Sequence, residues 1–206
     1  LLIDLDGVLV DSLRAWHEVV NDTRRHLGFE PIDEARLLGL FGQGVEDDVH
    51  NLYPGHATGE VRRLYDESMV RHIPSIRVGP ETLEVLDWLG TRGLGRAVVT
   101  NTQRSLATAI LRHTGIDRVV DAVAAAGGRA REKPHPDLLH ETLAVLGTPA
   151  SEAIMVGDTD YDAGAARAAG VRYVHFDLRV SPSLREALAR HLDGAAPPTR
   201  GVRHGR

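Results

Sequence analysis

The chain has no cysteine, which excludes disulfides and thiol chemistry and fits a reducing compartment, so a cytoplasmic location is expected. Lysine is almost as scarce. It occurs once, at Lys133, so the other 23 of the 24 basic residues are arginine. A lone lysine amid an arginine bias is either chance or a place where a compact ammonium is wanted and a planar guanidinium is not. No apolar run approaches a membrane span. No charged stretch followed by an apolar one suggests a signal peptide, in a chain that opens on Leu1 rather than methionine. The net charge is mildly negative at -5 and the arginines are scattered, which argues against nucleic acid as a partner. There is no internal repeat.

What is present fits 206 residues of ordinary apolar content, enough for one medium domain or a core with one insertion. Three short apolar runs stop abruptly at polar residues: Leu1-Leu2-Ile3 before Asp4, Ala97-Val98-Val99 before Thr100-Asn101, and Ala153 to Val156 before Gly157-Asp158. Continuous rather than alternating runs suit strands covered on both faces, as in a parallel sheet. Val119–Val123 and Val171–Phe176 are two further candidate strands. Helical spacing recurs in 80–92, 103–114 and 136–147, so strand and helix alternate as in a doubly wound α/β fold.

Residues 13–73 break that alternation. Leu13, Trp16, Val20, Thr23 and Leu27 form one helical stripe, and Val61, Leu64, Tyr65 and Met69 another. An all-helical insertion is therefore expected after the first strand, returning past Pro74 and Gly79-Pro80. The expected division is a core of 1–12 with 77–193, a helical domain of 13–76, and a disordered tail over 194–206.

In an open α/β sheet, ligands bind beyond the carboxyl ends of the strands. Asp4, Asp6, Thr100, Asn101 and Asp158 are thus expected to converge. Asp4 and Asp6 at one strand end repel each other unless a cation intervenes. Hard carboxylate oxygens suit Mg²⁺, which would also let a phosphate approach a carboxylate. A carboxylate can attack phosphorus, and Lys133 would add positive charge. The N–H groups of a helix beginning just after Asn101 would complete a phosphate cradle. Each residue also has a plain alternative. Asp4 or Asp6 could serve a surface turn, Thr100-Asn101 or Asp158 a helix cap, and Lys133 a solvated loop. Together those alternatives require a coincidence of order, spacing and strand-end placement.

The same residues carry a family resemblance. Asp4-Leu5-Asp6-Gly7-Val8-Leu9-Val10-Asp11-Ser12, Val98-Val99-Thr100-Asn101, Lys133-Pro134-His135-Pro136-Asp137 and Gly157-Asp158-Thr159-Asp160-Tyr161-Asp162 resemble, in order and spacing, the four motifs of the haloacid dehalogenase (HAD) superfamily. The resemblance covers residues 1 to about 176. It implies a Rossmann-like core and a small α-helical cap of the phosphoglycolate phosphatase-like kind. By resemblance, Asp4 is the nucleophile and a Mg²⁺ ligand. Asp6 is the general acid and then base, its carbonyl also on Mg²⁺. Asp158 is a further metal ligand and Asp162 orients the metal's surroundings. Thr100, Asn101 and Lys133 hold the phosphate. The implied partner is a small phosphorylated metabolite, with no nucleic acid and no membrane.

Within the family, Asp6 argues against a dehalogenase, which needs no acid there. The absence of lysine in 13–73 argues against a Schiff-base phosphonatase. Val8 keeps a sugar phosphomutase of the β-phosphoglucomutase type as the alternative. Gly157, where such members carry Glu, and a stretch Phe41–Asp47 without Arg oppose it. The expectation is a Mg²⁺-dependent phosphatase of a small phosphomonoester, phosphoglycolate by default. Response-regulator receivers place their acidic residues differently along the chain, and a non-catalytic HAD-fold binding protein would be expected to have lost one of the four key residues. Trp16, His17, Gln43, Arg14 and His135 are read as packing or solvated residues.

Overall fold

The computed structural model describes residues 1–192; the tail expected over 194–206 lies outside them. In chain order the elements are β1 (Leu2–Ile3), β2 (Val10–Asp11), α1 (Leu13–His26), α2 (Glu34–Leu38), α3 (Val45–Leu52), α4 (Thr58–His72), β3 (Arg77–Val78) and α5 (Thr82–Thr91). They continue with β4 (Ala97–Gln103), α6 (Arg104–Thr114), β5 (Ala122–Ala126), α7 (Asp137–Leu146), β6 (Ile154–Gly157), α8 (Asp160–Ala169), β7 (Arg172–His175) and α9 (Leu184–Leu192).

Five strands form one parallel sheet in the order β5-β4-β1-β6-β7. The strands are short and apolar because both faces are covered. Leu2, Ile3, Val98, Val99, Met155 and Val156 are all buried without exposure. Leu2 pairs with Ala97 on one side and with Met155 on the other. The chain therefore leaves β1 toward β4 and later returns to β6 on its opposite flank. That reversal of strand order opens a crevice beyond the end of β1, where Asp4 begins.

Three details differ from the sequence reading. The expected strand Val119–Val123 begins later, at Ala122. Asp121 is pinned by Arg96, which exchanges backbone and side-chain hydrogen bonds with it, and ladder pairing starts only at Ala97↔Ala122. Val119 and Val120 instead pack against the core from a turn. Helix α6 does not start right after Asn101. β4 runs on to Gln103, with a register shift between Thr100 and Gln103, and the Thr102 N–H bonds to Thr100 Oγ1 at 3.0 Å. A two-residue antiparallel ribbon, β2 with β3, pairs Val10 with Val78 and Asp11 with Arg77. It joins the two points where the chain leaves and re-enters the sheet region.

Between β2 and β3 the described chain holds helices and no strand. Helices α1 and α4 pack through Val19, Val20, Val61, Tyr65 and Met69, all buried. Their ends are tied by Asp22, whose Oδ2 accepts from Ser68 Oγ at 2.7 Å, Arg71 at 2.6 Å and His72 Nε2 at 3.1 Å. Burial pushes the Asp22 carboxyl up, but these three donors outweigh it and hold the group down at about 2. A carboxylate depressed in the folded state adds stability above its unfolded value and loses it as pH falls through the folded one. Asp22→Asn is therefore expected to lower stability at pH 7 by about 1 kcal/mol, after allowance for solvent screening of the exposed Arg71. The gap to wild type should close between about pH 4 and pH 2, as read from urea midpoints across that range. No helix among the described residues is long and apolar enough to cross a membrane.

Candidate active site

Four segments bring their polar residues to the crevice beyond β1. Asp4 follows β1 directly and its N–H donates to Val156 O at 2.9 Å, so the strand pairing itself places it. Gly7 then turns the chain at φ +79°, a conformation that L side chains rarely adopt. A Cβ on Gly7 would also overlap the Asp158 carboxylate. The turn thus sets Asp6 beside Asp4 and lets Asp158 approach the backbone.

Lys133 is almost fully buried and its ammonium meets three acceptors. Nζ donates to Asp162 Oδ1 at 2.6 Å and to Val99 O at 2.9 Å. It also lies 2.8 Å from Asp4 Oδ1 as an ion pair, but outside the angles of a hydrogen bond. Burial alone would pull the lysine down; Asp162 and Asp4 reverse that and hold it above its ordinary value. Asp162 is fully buried and saturated. Its Oδ2 accepts from Thr159 N at 3.1 Å and Thr159 Oγ1 at 2.6 Å in the capping box of α8.

Asp4, Asp158 and Asp162 each offer an oxygen within 4.8 Å of one another. Burial is the largest influence on Asp4 and pushes its carboxyl well up; Lys133 opposes, while Asp162, Asp158 and Asp6 reinforce. Asp158 is pushed up to about 7 by burial and then by Asp162, against Arg179. Arg179 donates to Asp158 Oδ2 at 3.2 Å. That leaves Asp4 Oδ1 and Asp158 Oδ1 buried with no hydrogen-bond partner. Buried carboxylate oxygens normally find donors. An unpartnered Asp158 oxygen beside an Asp4 oxygen that meets Lys133 without a hydrogen bond, in one acidic cluster, fits a hard divalent cation, with Asp162 already committed to Lys133 and Thr159.

Asp6 is held by three donors. Ser12 Oγ at 2.5 Å and Trp16 Nε1 at 3.0 Å reach Oδ1, and Thr102 Oγ1 at 2.6 Å reaches Oδ2. Thr100 is buried at the end of the same crevice. The Asn101 side chain is fully engaged elsewhere. Its Oδ1 accepts from Lys133 N at 2.7 Å, and its Nδ2 donates to Lys133 O at 2.9 Å and Gly42 O at 3.0 Å. It therefore positions Lys133 and has no amide hydrogen left for a ligand.

The crevice is roofed by the helical segment. Asp4, Asp6, Thr100, Asn101, Thr102 and Lys133 share a cavity of ≈ 70 Å³ with Trp16, Phe41, Gln43, Asp48 and Tyr65. That holds on the order of half a dozen water-sized groups. Trp16 and Gln43, read from the sequence as packing residues, face it. His17 does pack, bonding Ile32 O at 2.9 Å, and Arg14 is exposed. Thr102, Ser12 and Asp48 were not singled out at all. A polar pair two residues past Thr100 and a serine after Asp6 were the available signals for the first two.

Gly157 has its own constraint: a Cβ there would overlap the Asp162 side chain. A Glu at this place would have to displace the carboxylate that holds Lys133.

A family model described as haloacid dehalogenase-like hydrolase matches residues 1–176. Phosphoglycolate phosphatase of Rhodospirillum rubrum is 32% identical over 189 residues, covering 84% of this chain and 77% of that protein. PpaX of Caldanaerobacter subterraneus subsp. tengcongensis, provisionally named a pyrophosphatase, is 30% identical over 183 residues, covering 88% and 83%. The crystal structure of CbbY from Rhodobacter sphaeroides in complex with phosphate superposes with a TM-score of 0.74 at 24% identity, covering 89% and 86%.

Proposed function

Because this chain belongs to the haloacid dehalogenase-like hydrolase family, we propose that it is a Mg²⁺-dependent phosphatase of a small phosphomonoester that works through an aspartyl-phosphate on Asp4. The observation that carries this reading is the buried acidic cluster of Asp4, Asp158 and Asp162, with Asp158 Oδ1 left without a partner and Lys133 2.8 Å from Asp4 Oδ1. Residues 1–12 and 77–193 are the core in this reading, and 13–76 the cap.

Asp4 attacks phosphorus, forming one P–O bond as the ester P–O bond breaks. Asp6, oriented by Ser12, Trp16 and Thr102, gives its proton to the departing alkoxide. The same group, now a carboxylate, takes a proton from the water that attacks the aspartyl-phosphate and frees inorganic phosphate. Lys133 neutralises Asp4 and the transferring group, and Thr100 with the Asn101 backbone positions the phosphate oxygens. Mg²⁺ would be held by Asp4, the Asp6 carbonyl and Asp158, supplying charge neutralisation between phosphate and carboxylates. The roof excludes water from the intermediate.

The test is release of p-nitrophenol from p-nitrophenyl phosphate. EDTA is expected to abolish it and excess Mg²⁺ to restore it; hydrolysis that persists in EDTA would defeat the reading. A mutase role is disfavoured by the crowding at Gly157. The names of relatives such as that of Rhodospirillum rubrum make phosphoglycolate the first natural compound to assay.

A further inference from the structure

The roof of the cavity carries a carboxylate. Asp48, on α3, lines the cavity opposite Asp4 and Asp6 and is held rigidly. Gln43 Nε2 donates to its Oδ1 at 2.5 Å, and Tyr65 OH to its Oδ2 at 3.0 Å. Gln43 is itself fixed by Asn51, whose Nδ2 donates to Gln43 Oε1 at 3.1 Å. Tyr65 is stacked edge-on against Trp16 with ring centroids 5.7 Å apart, and Trp16 in turn holds Asp6. Each Asp48 oxygen accepts one bond and has a further lone pair to offer.

Among the described residues, three cations near the cavity have carboxylate partners. Lys133 is the one Lys or Arg among the residues lining the cavity, and Asp4, Asp162 and Val99 O surround it. Arg179 serves Asp158 and Asp177 and lies over the Phe41 ring, 5.5 Å from its centroid. Arg62 reaches Glu132 at 3.5 Å. The start of α3 could have received an anion through its free N–H groups. It already faces one, since a Cβ on Gly44 would overlap the Glu132 carboxylate.

We infer that Asp48 reads the alcohol half of the substrate as a hydrogen-bond acceptor. The enzyme then selects phosphomonoesters that carry a neutral hydroxyl a few bonds from phosphorus, and rejects those that carry a second anion. This rests on the phosphatase reading above. With phosphate bound at Asp4, a second carboxylate or phosphate would point at Asp48. Burial pushes that carboxyl up to about 7, so above that pH it is charged, and like charges so placed repel strongly. A hydroxyl would fill the open lone pair of Asp48, and a site built to accept such a bond discriminates against analogues that lack it. Phosphoglycolate, whose far end is a carboxylate, is on this account a poor substrate.

The matched probes are 2-hydroxyethyl phosphate, phosphoglycolate and propyl phosphate, which differ only at the far end. At saturating Mg²⁺ and about pH 8.5, where Asp48 is ionised, 2-hydroxyethyl phosphate is expected to exceed phosphoglycolate in kcat/KM by about tenfold or more, with propyl phosphate between them. Asp48→Asn removes the charge and keeps the shape. It should collapse the ratio between the first two by about tenfold, through gain on phosphoglycolate as well as loss on the hydroxyl compound. The wild-type ratio decides even if that variant fails to fold. A preference for phosphoglycolate, or three probes within about threefold of one another while p-nitrophenyl phosphate is still hydrolysed, would overturn the inference and leave the phosphatase standing. No hydrolysis of any of the four compounds would remove both.

Discussion

Asp4→Asn is expected to cut phosphate release by about 10³-fold or more while leaving the fold intact. The substitution preserves shape, so packing around β1 is unchanged. Electrostatically it is mild. Burial and three neighbouring carboxylates already work against ionisation of Asp4, and Lys133 keeps its 2.6 Å bond to Asp162 when the charge at Asp4 is removed. Stability should therefore move little, with a melting temperature within a few degrees of wild type. What is lost is the nucleophile, because an amide oxygen does not attack phosphorus at a useful rate. Stopped-assay phosphate release with thermal melts checks both halves. Asp6→Asn provides the contrast. One group serves both as acid and as base, so its loss should slow formation and breakdown of the intermediate together, whereas Asp4→Asn should form none. An Asp4→Asn enzyme within about tenfold of wild type would end the assignment.

Most of the core was legible in the sequence for a simple reason. A parallel strand buried on both faces reads as a continuous apolar run, so Asp4 and Asp158 announced the strand ends that gather them, whereas β4 runs on past Thr100 to Gln103. The lone Lys133 was legible by its scarcity. The roof was not. Helical periodicity reports which residues face inward, and Trp16 satisfies the same stripe whether it meets a core or a cavity; here it does both, packing on Tyr65 and bonding Asp6. Asp48 follows Glu46 and Asp47 on a short helix and looks solvated, since its partners Gln43 and Tyr65 come from a loop and another helix. Strand β5 was misplaced because valine at 119 and 120 has the stronger strand propensity, while the hydrogen-bonded register falls on alanines fixed by Arg96 and Asp121. The helical spacing over 103–114 agrees with α6, but its N–H groups do not follow Asn101 directly, because Thr100 Oγ1 accepts from Thr102 N while β4 continues. The Asn101 amide is committed to the Lys133 backbone, a partnership that no spacing in the sequence announces.

Lys133→Met should be the most destabilising of these changes. Lys133 is 3% exposed and its partners at Asp4 and Asp162 are similarly buried. Removing one member of a buried charge group strands the others, at a cost of about 3–5 kcal/mol. For a chain of this size that is a fall of about 2 M in urea midpoint, with activity lost as well. The lysine's contribution is flat over ordinary pH. Its folded pKa lies above the unfolded value of about 10.4, so the stabilisation is fully present below that value and fades only as pH rises through the folded one. Two controls separate charge from packing. Lys133→Met with Asp162→Asn removes both signs together and should regain part of the loss, as coupled neighbours do. If Asp4 and Asp158 take up a cation, added Mg²⁺ should narrow the deficit of the single variant by binding the folded state. Lys133→Arg retains the charge yet forces a planar guanidinium into a slot shaped for a compact ammonium with Val99 O, Asp162 and Asp4 around it. It should still lose about 1–3 kcal/mol from overpacking. Stability equal to wild type in the arginine variant would show that the lysine survives here by chance rather than by shape.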